Sequence, residues 1–414
     1  MSAPEAIDGS YDPFEEFNRS VGAGVVEDPY PLLALSRSKG TVLKENLEAD
    51  LLDPDRSSDV APSGPEVFTA FSYDAVQTVL RDGETFSSGG YAEVMGAVMG
   101  HTILEMDEPE HHTYRGLVQQ AFSRKAMERW EVEAVAPIVD ECIDAFVDRG
   151  EADLVRELTL PFPVNVIASM LGLPREDLPR FHRLAIELIS VSFDWDRGMR
   201  ASEQLRDYFA GVLAQRRAAP ADDLMSILAA AELEGQRLTD EEIFAFLRLL
   251  LPAGAETTYR SSSNLLFGLL TNPDQLGALR ADRSLLPQAI EEGLRWEPPL
   301  TTIVRTATRD TVVDGVEIPT GAVVITNMGS ANHDEKYWER SEEFDIHREQ
   351  RQHLAFAFGP HMCLGMHLAR METKVVLERI LDRLPNLRLD PAADPPHITG
   401  MTFRAPPALP VLFG

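Results

Sequence analysis

The residues best suited to chemistry lie in the run Phe356-Ala357-Phe358-Gly359-Pro360-His361-Met362-Cys363-Leu364-Gly365. A cysteine thiolate is a soft ligand and a strong electron donor; behind a haem iron it pushes electron density toward bound oxygen and favours O–O cleavage. The neighbours suit that task. Gly359 and Gly365 carry no Cβ, so the backbone can turn tightly and come close to a flat macrocycle. Backbone N–H groups freed by such a loop can point at the sulfur and lower the thiol pKa. Phe356 can pack on a porphyrin face, and His361 can reach a haem carboxylate. A lone cysteine is more often a small buried hydrophobe, and Cys142, in the amphipathic pattern of residues 138–146, is read that way.

A second constellation, Pro252-Ala253-Gly254-Ala255-Glu256-Thr257-Thr258, falls inside a helical pattern. Pro252 lacks an N–H and its ring crowds the preceding turn, so the helix should kink or bulge here. Gly254 leaves room for a close approach. Thr257 can hydrogen-bond a nearby ligand or a freed carbonyl, and Glu256 beside it is a titratable proton carrier. Helix interiors avoid Pro and Gly, which makes an accidental defect the poorer reading. Glu292 and Arg295, three apart, put a carboxylate and a guanidinium on one helix face, suited to a charge-assisted fork. His111 and Arg115, four apart, share a face of a helix that starts near Pro109.

Phe-x-x-Gly-x-(His/Arg)-x-Cys-x-Gly is the haem-binding signature of the cytochrome P450 family, and residues 356–365 resemble it at every fixed position. Leu368-Ala369-Arg370 resembles the start of the helix that follows. Residues 253–257 resemble the family's oxygen-activation motif, Ala/Gly-Gly-x-Asp/Glu-Thr. Glu292-Gly293-Leu294-Arg295 resembles its Glu-x-x-Arg signature, with Pro298-Pro299 to stop the helix. The resembling segments run from about residue 70 to 405, in the family's order.

The resemblance implies haem b with Cys363 as axial ligand, and Phe356, Gly359, Gly365, Ala253 and Gly254 as further cofactor-binding residues. Thr257 would assist oxygen activation and Glu256 would relay protons. Arg348 would complete a structural network with Glu292 and Arg295. His111, Arg115, Arg305 and His361 would hold the haem propionates, anions that need cationic partners. Thr113 and His333 stand where relatives often carry Arg, and His333 is assigned no role.

The implied activity inserts one oxygen atom from O2 into a hydrophobic small molecule such as a terpenoid, steroid, fatty-acid derivative or aromatic. Electrons would come from NAD(P)H through a separate ferredoxin and its reductase, because the chain holds no flavin domain and no iron–sulfur cysteine set. Two rivals are a peroxygenase using H2O2, whose members typically lack the acid–alcohol pair, and a non-enzymatic haem-thiolate sensor, which would not require the kink. Pocket candidates are Tyr91, Met95 and Met99; Leu249, Leu250 and Ala253; Thr301, Thr302 and Ile303; and Met401, Thr402 and Phe403. They are mostly apolar with a few hydroxyls, as small-molecule pockets are.

Those residues need elements to position them. The implied fold is mainly α with a smaller β-rich part: the cytochrome P450 fold, a triangular prism with a long central kinked helix over the haem. Residues 1–414 form a single catalytic domain in this reading. Residues 1–70 and 300–345 supply the β-rich part, and residues 71–299 and 346–385 the helical body. Val67–Phe71 reads as strand-like, and a helix is expected over 73–81 with Ser72 as N-cap. Residues 83–104 are Gly-rich, Met-rich and almost uncharged, which reads as a mobile apolar loop rather than an element. Thr239 and Glu242 form a capping box, with Asp240 and Glu241 complementing the dipole. That helix ends at Asn272-Pro273; about 32 residues at 1.5 Å each give ~48 Å. Asp314-Gly315 closes a hairpin over 311–318, and 322–325 is a further strand.

The net charge of −29 argues against nucleic acid, which calls for a basic footprint. Residues 1–68 hold 14 Asp/Glu against 5 Lys/Arg, whereas residues 341–379 hold 6 against 5 plus four histidines. The cysteine's face is thus less negative, and an acidic electron carrier can be steered to it; local pairing of those arginines explains the pattern equally well. No stretch offers the ~20 apolar residues a bilayer requires. The acidic start (Glu5, Asp8, Asp12, Glu15, Glu16) lacks the order of a signal peptide. The expectation is a cytoplasmic monomer without a membrane anchor. Two cysteines make no disulfide framework, and His101, His112 and His367 show no zinc spacing.

Overall fold

The computed structural model describes the chain except for residues 1–12, 21, 22, 24, 48, 50–63, 94, 190, 192 and 193. Glu5, Asp8 and Asp12 of the acidic start therefore lie outside the described residues, as does part of the expected β-rich stretch 1–70.

The centre of the molecule is the helix that starts at Thr239. The Thr239 hydroxyl accepts from the Glu242 N–H at 3.3 Å and the Glu242 carboxylate accepts from the Thr239 N–H at 2.6 Å, so the expected capping box is complete. The α-helix Asp240–Leu251 gives way to a π-helical turn, Pro252–Glu256, and resumes as Thr257–Thr271. Pro252 cannot donate to the ladder, and a wider turn absorbs the missing bond. The Thr257 hydroxyl donates to the Ala253 carbonyl at 2.7 Å. Around this helix pack Pro161–Met170, Leu178–Ile189, Trp195–Ala218, Leu286–Trp296 and Met366–Arg383. Their leucines, valines and phenylalanines make one continuous core.

The larger sheet has five strands, in the order Val42–Leu43, Val67–Ala70, Val323–Asn327, Thr302–Ala307, Phe86–Ser87. Val67–Ala70 and Val323–Asn327 run parallel with Val324 opposite Phe68; the other pairs are antiparallel. Segments from the first hundred residues and from 302–327 thus enter one sheet. The hairpin Thr311–Ile318 turns at Asp314 and Gly315, whose φ of 49° and 83° are the left-handed values a tight primed turn requires.

The structure departs from expectation in four places. The described part of residues 1–70 is half helical: Pro13–Ser20 and Tyr30–Lys39 are helices. The second buries Tyr30 and Leu33 with Phe71 and Met401, a face that only the folded chain provides. Residues 83–104 are not a loop throughout. They hold a short strand, Phe86–Ser87, a 3-10 turn, Gly89–Glu93, and a helix, Met95–Met99, whose Val98 and Met99 enter the core. Residues 346–365 contain no helix; the helix begins at Met366. A second, three-stranded sheet joins Glu151–Asp153 to Arg388–Leu389 and Pro410–Leu412, strands too short to show period-two patterning.

Among the described residues, no helix is long and apolar enough to cross a membrane.

Candidate active site

Residues 354–365 form a loop folded on itself. The Cys363 N–H donates to the Phe356 carbonyl at 2.9 Å, and the Met362 N–H to the Gly359 carbonyl at 3.1 Å. Gly359 has φ +75°, and a Cβ there would meet the Leu80 carbonyl oxygen at 2.5 Å. Its close approach is therefore to the end of the helix Tyr73–Arg81. Gly365 precedes the helix Met366–Arg383, and its N–H points at the Cys363 sulfur. The thiol is closely surrounded by protein yet accessible. Burial raises its pKa; the Gly365 N–H, Arg115 and Arg370 pull it back down. Arg370 lies over the Phe356 ring at 4.6 Å and forks onto Glu291 at 2.6 and 2.8 Å.

The helix that follows Cys363 packs against the kinked helix, and the Thr258 hydroxyl donates to Glu372 at 3.4 Å. On the kinked helix Ala253 is exposed and Thr257 half-buried, whereas Glu256 is buried. Arg260, one turn on, grips the Glu256 carboxylate at 2.9 Å. Burial raises the Glu256 pKa and Arg260 opposes that. Sequence reasoning passed over Arg260, although its i+4 spacing from Glu256 was readable. The close approach at Gly254 is made by Ile167, whose Cδ1 would lie 3.2 Å from an added Cβ.

Four cationic or basic side chains converge beside the cysteine loop. Arg115 donates to the Met362 carbonyl at 2.5 Å, and Arg305 to the Val304 carbonyl at 2.8 Å. Among the described residues neither makes an ion pair, although both are well shielded and desolvation lowers both pKa values. The rings of His111 and His361 lie 4.1 Å apart. His111 Nε2 is buried with no hydrogen-bond partner, and His361 approaches the Ser88 hydroxyl at 3.1 Å. Burial, with His111, Arg305 and Arg115 close by, pushes the His361 pKa down to about 3. Two guanidiniums without carboxylates and an orphaned ring nitrogen fit an anionic group lying against the thiol, as the two carboxylates of a haem would. Ser88 is a participant the sequence did not reveal, since only the fold brings it to His361.

Glu292, Arg295 and Arg348 meet as expected. Arg295 forks onto Glu292 with both bonds at 2.8 Å, and Arg348 Nε lies 3.1 Å from the same carboxylate. The Asp345 N–H adds a bond to Glu292 at 2.9 Å, and both guanidiniums cap carbonyls of residues 332–343. Glu292, Arg295 and Arg348 are all buried, and each is hydrogen-bonded within the network.

The pocket candidates are not all gathered together. Met401 packs instead with Val26, Tyr30, Leu33 and Phe71, where a large apolar side chain finds deeper burial. Thr301 spends its hydroxyl on the Met401 carbonyl at 2.6 Å and is buried. Phe403 lies against the Arg260 guanidinium at 5.4 Å. Met99, Leu250 and Thr302 are buried; Tyr91, Met95, Leu249, Ile303 and Thr402 are half-buried. Tyr91 accepts from the Val304 N–H at 2.9 Å, which sets it beside Arg305. His333 is buried against the Gly329 carbonyl at 3.0 Å, in keeping with its having no assigned role.

A helical prism with a π-kinked helix packed beside a cysteine loop and an anion-seeking cluster defines a haem-thiolate protein. The chain belongs to the cytochrome P450 family, whose model matches residues 185–409. It is 39% identical over 352 residues to a steroid C26-monooxygenase of Mycolicibacterium smegmatis, covering 83% of this chain and 87% of that one. It is 36% identical to the cyclomarin C epoxidase CymV of Salinispora arenicola, covering 78% and 85%. Among solved structures it is similar to CYP109E1 from Bacillus megaterium in complex with testosterone, with a TM-score of 0.83, 32% identity, and 94% and 99% of the two chains covered. The chain is therefore an oxidoreductase, a monooxygenase that uses haem with a cysteine thiolate as axial ligand, acts on an organic substrate with O2, and depends on redox partners.

Proposed function

We propose that this chain inserts one atom of O2 into a steroid-class substrate, with electrons delivered by a separate ferredoxin and its NAD(P)H-dependent reductase in the cytoplasm. Haem iron with a thiolate behind it supplies dioxygen binding and O–O cleavage. The chain's own residues do the rest. Cys363 holds the iron, with its charge moderated by the Gly365 N–H and the flanking Arg115 and Arg370. His111, Arg115, Arg305 and His361 would hold the propionates. Glu292, Arg295 and Arg348 keep the segment before the cysteine loop in register.

The observation that carries the reading is the placement of Glu256 at the end of the π-helical turn and of Thr257 directly after it. Thr257 is accessible beside Ala253, while the neighbouring carboxylate is buried and held by Arg260. A half-buried hydroxyl with a shielded acid beside it suits delivery of protons to a reaction that must also exclude bulk water. That pair favours a monooxygenase over a peroxygenase. The steroid class is supported by the printed activity of the mycobacterial relative and the testosterone bound to the solved neighbour. The half-buried Met95, Leu249 and Ile303 would supply apolar surface to it. A single catalytic domain is supported by the five-stranded sheet, which cannot be divided without separating Val67–Ala70 from Val323–Asn327.

Titration of the purified holoprotein with testosterone, followed by turnover with a surrogate ferredoxin system, tests this. A spin-state shift and hydroxylated product matched to NADPH consumed are expected. Peroxide as the only outcome across a panel of steroids would contradict the substrate class, and equal turnover on H2O2 alone would favour the peroxygenase.

A further inference from the structure

Behind the kinked helix lies a cavity of about 130 Å³ bounded by Pro252, Ala255, Glu256 and Tyr259, and not by Ala253 or Thr257. Its opposite walls are the helices Pro161–Met170 and Leu178–Ile189, which bring His182, together with Arg156. Such a volume, with polar groups on its walls, has room for water. His182 donates from Nε2 to the Asn165 side-chain oxygen at 2.8 Å, which leaves Nδ1 as its basic nitrogen. Burial lowers its pKa, which favours the neutral ring and makes a captured proton easy to pass on.

The N-terminal helix Pro13–Ser20 reaches this region at two points. Glu15 pairs with Arg156 at 3.0 Å, and Asn18 accepts from Arg260 at 2.7 Å. Arg260 is thus shared between Asn18 and the Glu256 carboxylate, which it meets at 2.9 Å. Among the described residues, the charged and titratable groups around Glu256 and His182 include Arg156, Arg260 and Tyr259, with Glu15 and Asp153 paired to Arg156.

We propose that this cavity is the enzyme's proton-entry port, in which water links His182 to Glu256, and that the helix Pro13–Ser20 sets its transmission through Arg260. The proposal rests on the reading of Glu256 as the proton carrier. Monooxygenation takes two electrons from the reductant and two protons from solvent, and sends one atom of O2 to product and the other to water. Each proton enters at His182 Nδ1, passes by cavity water to the Glu256 carboxylate and leaves toward Thr257. Both side chains end the cycle as they began it. Asn18 matters because an arginine drawn wholly onto Glu256 would hold the carboxylate ionised and unable to donate.

The test compares His182→Gln, Asn18→Leu and Glu256→Gln holoproteins with the parent at saturating substrate, each checked for an unchanged Soret band and substrate affinity. The readouts are product per NADPH, peroxide, and the solvent deuterium isotope effect. His182→Gln should lower product per NADPH by about tenfold, less than the 10²–10⁴ of a group acting on a reacting atom. Peroxide should rise in proportion, the isotope effect should increase, and added imidazole should restore coupling. Asn18→Leu should move the same readouts in the same direction, without imidazole rescue. If Glu256→Gln uncouples but the other two do not, the port is refuted and the role of Glu256 stands. If only Asn18→Leu is silent, the control by the N-terminal helix is refuted. If Glu256→Gln keeps full coupling, the reading of Glu256 fails and the port with it.

Discussion

Arg115 donates to the main-chain carbonyl of Met362 at 2.5 Å, so the helix Glu110–Gln119 is tied to the residue that precedes Cys363. One guanidinium therefore shapes the cysteine loop and also belongs to the cluster that attracts the cofactor's carboxylates. Protein and cofactor contacts at this point are not separable, and loosening one loosens the other.

Arg115→Leu should weaken haem retention. Hydrogen bonds to charged groups contribute about 1.5–3 kcal/mol, which corresponds to about 10- to 150-fold in affinity. Haem transfer to an excess of a competing apoprotein measures it. Arg115→Lys should recover part of the loss, because it keeps the charge but not the planar fork. Retention unchanged in Arg115→Leu would count against the propionate role.

Glu292→Leu should be among the most damaging substitutions. It leaves Arg295 and Arg348 buried without their carboxylate. Removing one partner of a buried pair costs about 3–5 kcal/mol, readable as a lowered denaturant midpoint and poor recovery of holoprotein. A loss under about 1 kcal/mol, the level of a surface pair, would show that the network is not structural.

Glu372 gives a pH signature. It is fully enclosed, with its one hydrogen bond among the described residues coming from Thr258, and burial raises its pKa to about 8. The unfolded chain ionises this carboxyl above its ordinary value of 4.5, while the folded chain keeps it protonated to about 8. Its contribution to stability is therefore full below 4.5 and is lost as pH rises toward 8, by about 1.4 kcal/mol per unit of pKa difference at most. Glu372→Gln should flatten the fall in stability across that window and raise stability at pH 8. Parallel pH–stability curves for the parent and the variant would contradict this.

The parts legible in the sequence are those whose meaning is local. Cys363 and its glycines, the Thr239 capping box, the Pro252 break and the Asp314-Gly315 turn each declare themselves within ten residues. Surroundings that come from distant segments are not legible locally. Met401 stands beside Thr402 and Phe403 among the pocket candidates, yet its side chain packs with Tyr30 and Leu33 from the far end of the chain. The helix Met95–Met99 was hidden because its few apolar residues make sense only against the core they enter. Glu256 was recognised as an acid, but nothing local announced that Asn18 would share its arginine.

Thr257→Ala should uncouple oxygen consumption from product. The hydroxyl now fills the Ala253 carbonyl and stands at the accessible side of the helix. NADPH use should stay near the parent's level while peroxide replaces most of the product, with substrate affinity little changed. A variant that remains fully coupled would remove Thr257 from the proton route.

The central claim is that Cys363 is the thiolate behind the iron, and the reduced CO complex reads it directly. The parent should show the strongly red-shifted Soret band that only a thiolate ligand confers. Cys363→His should bind haem and CO with the band at the unshifted position of an imidazole-ligated haem. A red-shifted band persisting in Cys363→His would show that another residue holds the iron, and the account of the site would fall.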